Sequence, residues 1–290
     1  MKEAELDFSD LDGVAATCGP GLIGGVIVGA TTAKAIALTH DLPFVAVNHL
    51  EGHALSARLM KEISFPYLLL LVSGGHCQLL TVHGVGKYTR LGTTIDDALG
   101  EAFDKTAKML GIGYPGGPAV EAAAAKGDET RFALPRPLKG REGCHFSYSG
   151  LKTAVRQTID KLPEGSLLET DINDLCASFQ RAAADTLIDR CGNGIEMFQD
   201  ANPEGSTLVV AGGVAANSYL RERLLALAES HGLNLMAPPQ RLCTDNAAMI
   251  AWAGIERMQL GLTDAFDFKP RPRWPLDPDA APALGAGVKG

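Results

Sequence analysis

Strand-like and helix-like segments alternate over the N-terminal part of the chain, and this alternation restricts the fold more than any other feature. Residues 13–17 are apolar, as in a buried strand, and end at a Gly-Pro-Gly turn. A Gly- and Ala-rich helical segment runs to about His40, and residues 43–47 predict a second strand. Parallel strands need a long crossover between them, which a helix provides. The order therefore predicts an α/β lobe with parallel strands.

A second group of strands follows. Residues 67–72 and 77–82 are apolar and flank the turn Ser73-Gly-Gly75, which predicts a hairpin. Residues 88–94 predict a third strand, and residues 208–211 predict a later buried one. Helices are predicted at about 50–62, at 98–110 after the cap-like pair Asp96-Asp97, at 118–126, 149–162 and 171–200, from Asn217, and after Asp245 to about 260.

The composition indicates a globular protein with an ample core. Of its 290 residues, 46% are hydrophobic and 21% are charged. The apolar segment 22–38 contains Lys34 and several Gly, so we predict a buried helix there rather than a membrane span. A net charge of −8 means that any RNA contact must come from a local basic patch. The six Cys form no CxxC pair and the start lacks a signal-peptide pattern, so we expect a reduced, cytoplasmic location.

Two histidines four residues apart, His49 and His53, follow the second predicted strand. On a helix this spacing stacks both rings on one face, with Cβ atoms roughly 5–6 Å apart, and two neutral imidazoles can bind one divalent metal. Metallopeptidase helices share the spacing, but there a Glu adjoins one His and acts as the base. Here the acid is Glu51, which at about 100° per residue points roughly 200° away from His49. The position of Glu51 therefore argues against proteolysis.

Asp245 has two interpretations. It can cap the last helix, or it can complete a ligand set of two His and one Asp. Mixed nitrogen and oxygen ligation with open positions suits Fe(II) or Zn(II). Without the histidine pair, the cap would be the better interpretation.

Two Gly pairs directly follow predicted strands, at Gly74-Gly75 and Gly212-Gly213. Such loops can present backbone N–H groups to phosphate, or can simply be a hairpin turn and a strand-to-helix turn. Asn217 is either a ligand contact or a helix N-cap. The YPGGP segment at 114–118 can line a pocket or form a rigid turn, and Asp104 lies on a helix where a solvated charged face is the default.

Together these motifs resemble the tRNA N6-adenosine threonylcarbamoyltransferase family of bacterial type (TsaD), formerly described as O-sialoglycoprotein endopeptidases. The matching segments run in order over nearly the whole chain: ATCGPGLIG from Ala16, HLEGH from His49, VSGGH from Val72, IDDALGEAFDKTA from Ile95, YPGGP from Tyr114, FSYSGLK from Phe146, GGVAAN from Gly212 and CTDN from Cys243. The resemblance implies an α/β fold of the actin-like ATPase and sugar-kinase (ASKHA) type, with two lobes around a central cleft. Residues 1–64 would then belong to the N-terminal lobe, 65–268 would form the second lobe with a helical insertion, and 269–290 would be an irregular tail.

The resemblance also implies an activity. Family members transfer the threonylcarbamoyl group from threonylcarbamoyl-AMP to N6 of adenosine 37, in tRNAs that read codons starting with A. They work with partner proteins of the TsaB and TsaE type. By the same match, one divalent metal, Fe(2+) before Zn(2+), would be held by His49, His53 and Asp245. The nucleotide ligand, threonylcarbamoyl-AMP or ATP, would be bound by Val72, Ser73, Gly74, Gly75, His76, Asp104, Gly117, Glu121 and Asn217. No general base is evident, and His76 is the one weak candidate.

The chain departs from the family pattern at its start. Members carry a further N-terminal segment with a strand hairpin and a first phosphate loop. We therefore expect an incomplete first lobe with exposed apolar surface, and an isolated chain that is poorly soluble or inactive. The alternative function is a catalytically inactive nucleotide-binding scaffold. A small-molecule kinase of this fold is disfavoured, because it would need that phosphate loop and has no such metal set.

Basic residues in two segments can form a local patch for tRNA, although a solvated loop explains their charge equally well. They are Arg131, Arg136, Lys139, Arg141, Lys152 and Arg156, with Lys269, Arg271 and Arg273 beyond. Binding through phosphates at such a patch should weaken with salt.

Overall fold

A parallel strand pair with a crossover helix forms the first α/β unit. In this computed structural model, which describes residues 1–163, 165 and 167–281, β1 (Val14–Gly19) pairs with β2 (Phe44–Asn48) and α1 (Ile23–Thr39) connects them. All five residues of β2 are buried, which explains its continuous apolar sequence. No helix in the described part of the chain, α1 included, has the length and apolarity to cross a bilayer.

The second unit is built on a mixed sheet of five strands. The strands are β3 (Tyr67–Val72), β4 (Cys77–Gly84), β5 (Lys87–Thr93), β6 (Thr207–Ala211) and β7 (Asn234–Met236), in the order β5-β4-β3-β6-β7. The predicted hairpin is present as the antiparallel pair β3–β4, and β3 pairs with β6 in parallel. The predicted α/β fold is therefore confirmed. The sequence analysis missed β7, whose three residues are too few for a pattern of alternation.

The remaining helices surround these sheets. They are α2 (His49–Leu55), α3 (Leu99–Leu110), α4 (Gly116–Ala124), α5 (Ser149–Ile159), α6 (Glu169–Ala201), α7 (Ser218–Ser230), α8 (Gln240–Cys243) and α9 (Ala247–Gln259). The helix predicted at 50–62 is shorter, since α2 tightens into a 3-10 turn at Ser56–Leu59. Here the Ser56 hydroxyl donates to the His53 carbonyl at 2.7 Å, a local bond that competes with regular helix.

The last helix packs on the first unit, although it follows the second in sequence. A Cβ added at Gly254 of α9 would lie 2.5 Å from the Cβ of Ala15 in β1, so the two backbones are in close contact. Similarly, a Cβ at Gly52 of α2 would lie 2.7 Å from Ile250. The division of the chain into two lobes and a tail, at residues 64 and 268, remains a prediction. The helix α9 belongs to the predicted second lobe by sequence, yet it packs against β1 and α2 of the first unit.

The C-terminal segment crosses both units as an extended strap, which we define as residues 264–281. It contains no helix or strand, and residues 269–281 of the tail predicted to be irregular belong to it, but it is held by specific hydrogen bonds. The Ala46 amide donates to the Asp264 carboxylate at 2.9 Å, and the Arg90 amide of β5 donates to Asp277 at 2.8 Å. The strap therefore joins the first unit to the edge of the second sheet. The rest of the predicted tail, 282–290, lies outside the described residues.

Candidate metal and nucleotide site

The two histidines lie on one face of α2, as their spacing predicts. The helix begins at His49 because the side chain of Asn48 accepts a hydrogen bond from the Leu50 amide at 2.9 Å and caps it. The rings of His49 and His53 have centroids 4.9 Å apart and are nearly perpendicular, at 87°. Both Nε2 atoms face one carboxylate oxygen, Oδ1 of Asp245, at 3.2 and 3.1 Å.

Asp245 does not cap the last helix. That cap is the neighbouring Asn246, whose side chain accepts from the Met249 amide at 2.9 Å. Asp245 is therefore available to the histidines, although its side chain is 76% exposed. Hydrogen bonds from His49 and then His53 hold the pKa of the Asp245 carboxyl well below its usual value. The carboxylate is thus ionised, as a metal ligand must be.

The three side chains fit a divalent transition metal. One donor atom from each lies within 4.8 Å of the others. Ligands that share an ion at about 2.0–2.1 Å lie about 3.0–3.4 Å apart, and both contacts of Asp245 fall in that range. Two imidazole nitrogens and one carboxylate oxygen form a donor set suited to Fe(II) or Zn(II).

Glu51 lies on the opposite side of α2 and cannot act on a metal-bound water. Its Oε1 accepts from the Gly86 amide at 2.8 Å and the Tyr88 hydroxyl at 3.0 Å, and its Oε2 pairs with Arg257 at 2.9 Å. The side chain is 2% exposed. This geometry agrees with the argument against a metallopeptidase and shows that Glu51 fixes α2 to the β4–β5 turn and to α9.

The two glycine loops lie side by side at the carboxyl ends of β3 and β6. Gly212 has a φ of +97°, and a Cβ there would lie 2.3 Å from the Val72 carbonyl oxygen. A Cβ at Gly100, at the start of α3, would lie 2.6 Å from the Ser73 carbonyl oxygen. On the other side, Gly213 lies next to Thr244, the residue before Asp245. The structure thus brings both loops and the start of α3 to the neighbourhood of Asp245 and the candidate metal site.

The first loop is closed by its own hydrogen bonds. The Ser73 amide donates to the His76 carbonyl at 2.8 Å. The Ser73 hydroxyl accepts from the Gly75 and His76 amides at 3.3 and 3.1 Å. The sequence allowed either a phosphate-binding loop or a hairpin turn here, and these bonds are those of a hairpin turn. Gly74 and Gly75 nevertheless face open space, since a Cβ at either would meet no atom within 4 Å.

The other predicted ligand contacts lie at helix junctions. Asp104 accepts from the Gly116 amide at 2.7 Å and so joins α3 to the start of α4. Glu121 of α4 accepts from the Ser218 amide at 2.8 Å, at the start of α7. Asn217 caps α7 through Leu220 at 2.9 Å, and its amide donates to Gln180 at 3.1 Å. Asp104 therefore has a helix partner rather than only solvent, and Asn217 is the predicted N-cap. Gly117 has open space beyond its Cα.

Sequence reasoning missed the role of the neighbouring acids Asp96 and Asp97. Neither caps α3, whose N-cap is Ala98. Asp96 instead accepts from the hydroxyls of Ser147 and Ser149 at 2.5 and 2.7 Å, which holds the start of α5. Burial alone would raise the pKa of Asp97, but hydrogen bonds from Lys152 and Lys105 hold it below its usual value. The sequence signal that could have revealed these contacts is the FSYSGLK motif, which supplies Ser147, Ser149 and Lys152.

A cavity of about 1150 Å³ opens beside His49 and Asp245. Its walls come from β1, α1 and α9 of the first unit, with Ala16, Val26 and Met249 among the lining side chains. The glycine loops of the second sheet do not line it, so this cavity differs from the predicted nucleotide site.

Solved structures with the same arrangement define the fold class. HypF from T. kodakarensis has a TM-score of 0.64 and 16% identity over 88% of this chain and 41% of that chain. Full-length HypF in its phosphate- and nucleotide-bound form has a TM-score of 0.57 and 14% identity over 79% of this chain and 38% of that chain. This chain thus spans less than half of either HypF chain, and at such identity the likeness shows the fold alone. The protein has an ASKHA-like α/β fold.

Sequence comparisons then identify the family. The family described as tRNA N6-adenosine threonylcarbamoyltransferase (TsaD) matches residues 1–252. A relative of that name from Rhodospirillum rubrum is 67% identical over 287 residues, which cover 99% of this chain and 79% of the relative. A relative from Brucella anthropi is 60% identical over 292 residues, with coverage of 100% and 81%. The chain belongs to the tRNA N6-adenosine threonylcarbamoyltransferase family.

The Glu51 contacts predict a stability effect. We expect Glu51→Ala to lower the free energy of unfolding by about 3 kcal/mol, because it leaves Arg257 with a buried charge and no acid opposite it. Urea denaturation followed by circular dichroism measures this. Glu222→Ala, an exposed acid on α7, is the matched control and should change stability by no more than about 0.5 kcal/mol. Equal stability of the two variants would contradict the assigned role of Glu51.

The ligand geometry predicts a metal-binding effect. We expect the purified chain to bind a divalent ion stoichiometrically, and Asp245→Ala and His53→Ala each to weaken that binding by more than about tenfold, since even loss of an outer-shell partner has an effect of that size. Elemental analysis and calorimetric titration with Fe(II) and Zn(II) measure it. Glu142→Ala, another exposed acid, should bind like the unmodified chain. Unchanged affinity in both ligand variants would exclude this site.

Proposed function

We propose that this chain transfers the threonylcarbamoyl group from threonylcarbamoyl-AMP to N6 of adenosine 37, in tRNAs that read codons starting with A. The observation that carries the proposal is the convergence of His49, His53 and Asp245 beside the two glycine loops, in a chain of this family. A catalytically inactive scaffold would have no need for three ligands, two on α2 and one on the bend between α8 and α9, within bonding reach of one ion.

The metal proposed for the His and Asp ligands is Fe(II), with Zn(II) as the second choice. Two histidines and one carboxylate with remaining open positions are typical of non-haem Fe(II) sites. When bound there, the ion would polarise the carbamoyl oxygen of the substrate as a Lewis acid. The protein contributes the orientation of the ligands, through the Asn48 cap below His49 and the buried Glu51 contacts on the far side of α2.

The proposed nucleotide site lies along the loops and the adjoining helix starts. It consists of Val72, Ser73, Gly74, Gly75, His76, Asp104, Gly117, Glu121 and Asn217. The starts of α3, α4 and α7 are linked to it through Gly100, Asp104 and Glu121, and helix N-termini favour phosphate. For the Gly75 and His76 amides to bind the phosphate, they must exchange their bonds to the Ser73 hydroxyl for bonds to the ligand.

The proposed reaction is an acyl transfer. The adenine N6 amine attacks the carbamoyl carbon, the bond from that carbon to the phosphate oxygen breaks, and AMP leaves. Loop N–H groups then stabilise the departing phosphate. The attacking nitrogen must lose a proton, and His76, at the edge of the first loop, is the candidate acceptor.

Partner proteins of the TsaB and TsaE type and a cytoplasmic location complete the proposal. The prediction of a buried helix at 22–38 is wrong for most of α1, in which only Ala30, Ala33 and Ala37 are buried. Leu22, Val28 and Leu38 are 90%, 67% and 67% exposed, which suits a surface that another protein covers. All six cysteines are buried and free, as expected for a reduced compartment.

The direct test is formation of the modified nucleoside. The chain, partner proteins, threonylcarbamoyl-AMP and an unmodified tRNA transcript are incubated, and the tRNA is digested and analysed by mass spectrometry. With the partner proteins present, unlike for the isolated chain, we expect product with the unmodified chain and with Glu142→Ala. Asp245→Ala and His49→Ala should lower the rate at least about a hundredfold, as expected when a group that stabilises transition-state charge is lost.

A separate titration with AMP reports on the nucleotide site alone. We expect AMP binding to persist in Asp245→Ala, because the loops are intact in that variant. Product formation at an unchanged rate in the ligand variants would overturn the metal role. Absence of both product and AMP binding in the unmodified chain would overturn the proposed function.

A further inference from the structure

The structure separates the candidate RNA-binding cations into two groups. The first group is already paired with acids: Arg131 with Asp171 and Asp174, Arg136 with Asp185, Lys152 with Asp97, and Arg156 with Asp160. Among the described residues, the side chains of Lys139, Arg141, Lys269, Arg271 and Arg273 have no such acid partner. Only this second group offers uncompensated positive charge to a polyanion.

Three of these cations lie close together on the strap. Lys269, Arg271 and Arg273 alternate with Pro270 and Pro272 in the sequence KPRPR, and all three cations are exposed. Proline fixes φ and favours extended backbone, in which residues two apart are about 6 Å apart. That separation is comparable with the distance between successive phosphates along one nucleic-acid strand. The strap therefore presents three exposed positive charges within five residues, a group that we call the row.

Backbone contacts hold this row in place. The Arg271 amide donates to the Cys18 carbonyl at 2.7 Å, and the Gly21 amide donates to the Pro272 carbonyl at 3.2 Å. A Cβ at Gly19 would lie 1.9 Å from the Arg271 carbonyl oxygen, so the strap rests directly on the end of β1. Because the anchors are main-chain atoms, the charged side chains remain available to a ligand.

Aromatic rings hold the central cation of the row. The guanidinium of Arg271 lies 4.9 Å from the ring centroid of Phe268 and 5.0 Å from that of Trp274. A guanidinium held in this way is pre-organised, and such planes also stack with unpaired RNA bases. This feature suits an RNA loop better than a uniform duplex.

The row ends beside the metal ligands. The Trp274 carbonyl accepts from the Asn48 side chain at 2.9 Å, and Asn48 directly precedes His49. The other uncompensated cations, Lys139 and Arg141, lie on a loop that α6 holds through Asn193, whose side-chain amide donates to the Arg141 carbonyl at 3.0 Å. That loop belongs to the second unit, and no hydrogen bond among the described residues links it to His49 or to Asn48. Proximity to the reacting centre therefore favours the strap.

We propose that Lys269, Arg271 and Arg273 form the surface that binds the phosphate backbone of the substrate RNA beside the metal ligands. This proposal rests on the proposed function in taking RNA as the substrate. It adds the segment that holds the RNA, in a chain whose overall charge of −8 would otherwise repel it.

The test removes charge while keeping a polar, flexible side chain. We expect Lys269→Gln combined with Arg273→Gln to raise the Kd for tRNA about tenfold at physiological salt, and to make the slope of log K against log salt shallower by about 1.4–1.8, which corresponds to two phosphate contacts. In the assay with partners, KM for tRNA should rise while kcat stays the same. Metal content and AMP binding should not change. Arg271→Gln should add to the loss, with Trp fluorescence reporting whether the strap remains docked.

Two matched variants make the result specific. Lys126→Gln with Lys161→Gln removes the same charge from exposed sites on the second unit, and should leave the Kd and the salt slope unchanged. If Lys139→Gln with Arg141→Gln weakens tRNA binding and the strap variant does not, the proposal is overturned, and the RNA lies on the loop that carries Lys139 and Arg141. It is also overturned if the strap variant keeps the unmodified Kd and slope. Filter binding distinguishes failure of the RNA-binding surface from failure of the proposed function. If the unmodified chain binds tRNA through the strap but forms no product, the proposed reaction is refuted and the proposed surface is not.

Discussion

The side chain of Asn48 joins the three parts of the chain on which the site depends. Its oxygen accepts from the Leu50 amide and starts α2, while its amide donates to the Trp274 carbonyl of the strap. At 3% exposure, neither bond has water as a ready substitute. The residue is also the last of β2. The direction in which His49 and His53 leave the sheet is therefore set by one buried amide.

The α2 helix has only seven residues and would not be stable alone. Its stability comes from contacts on opposite faces. On one face the histidines meet Asp245, and on the other Glu51 meets Arg257. Asp245 directly precedes the Asn246 cap of α9, and Arg257 lies in its last turn. Both faces of the short helix are thus tied to α9, so the distance between the histidines and the carboxylate follows from how these two helices pack.

The sequence predicted the local parts of this site better than its long-range contacts. The histidine spacing and the strand-end glycines are local patterns, and both lie where they were expected. Asp245 was ambiguous because Asp and Asn cap helices equally well, and the adjacent Asn246 takes that role. Asp96 was taken for a cap because its partners, Ser147 and Ser149, are distant in sequence. The strap carried no signal beyond its charge and prolines, since the contacts that dock it on the end of β1 are made by backbone atoms that every residue has.

This division between backbone and side chain bears on what the strap can do. Its position depends on Gly19, where a side chain would collide with the Arg271 carbonyl, and on the amides and carbonyls of Cys18 and Gly21. Its charge depends on Lys269, Arg271 and Arg273, of which only Arg271 packs against neighbouring rings. The docking on β1 is therefore set by backbone atoms, and the charge by side chains. The Asp277 carboxylate of the strap also accepts from the Arg90 amide, so the strap links β1, α2 and β5. A ligand bound along the strap would therefore contact a segment that joins both units.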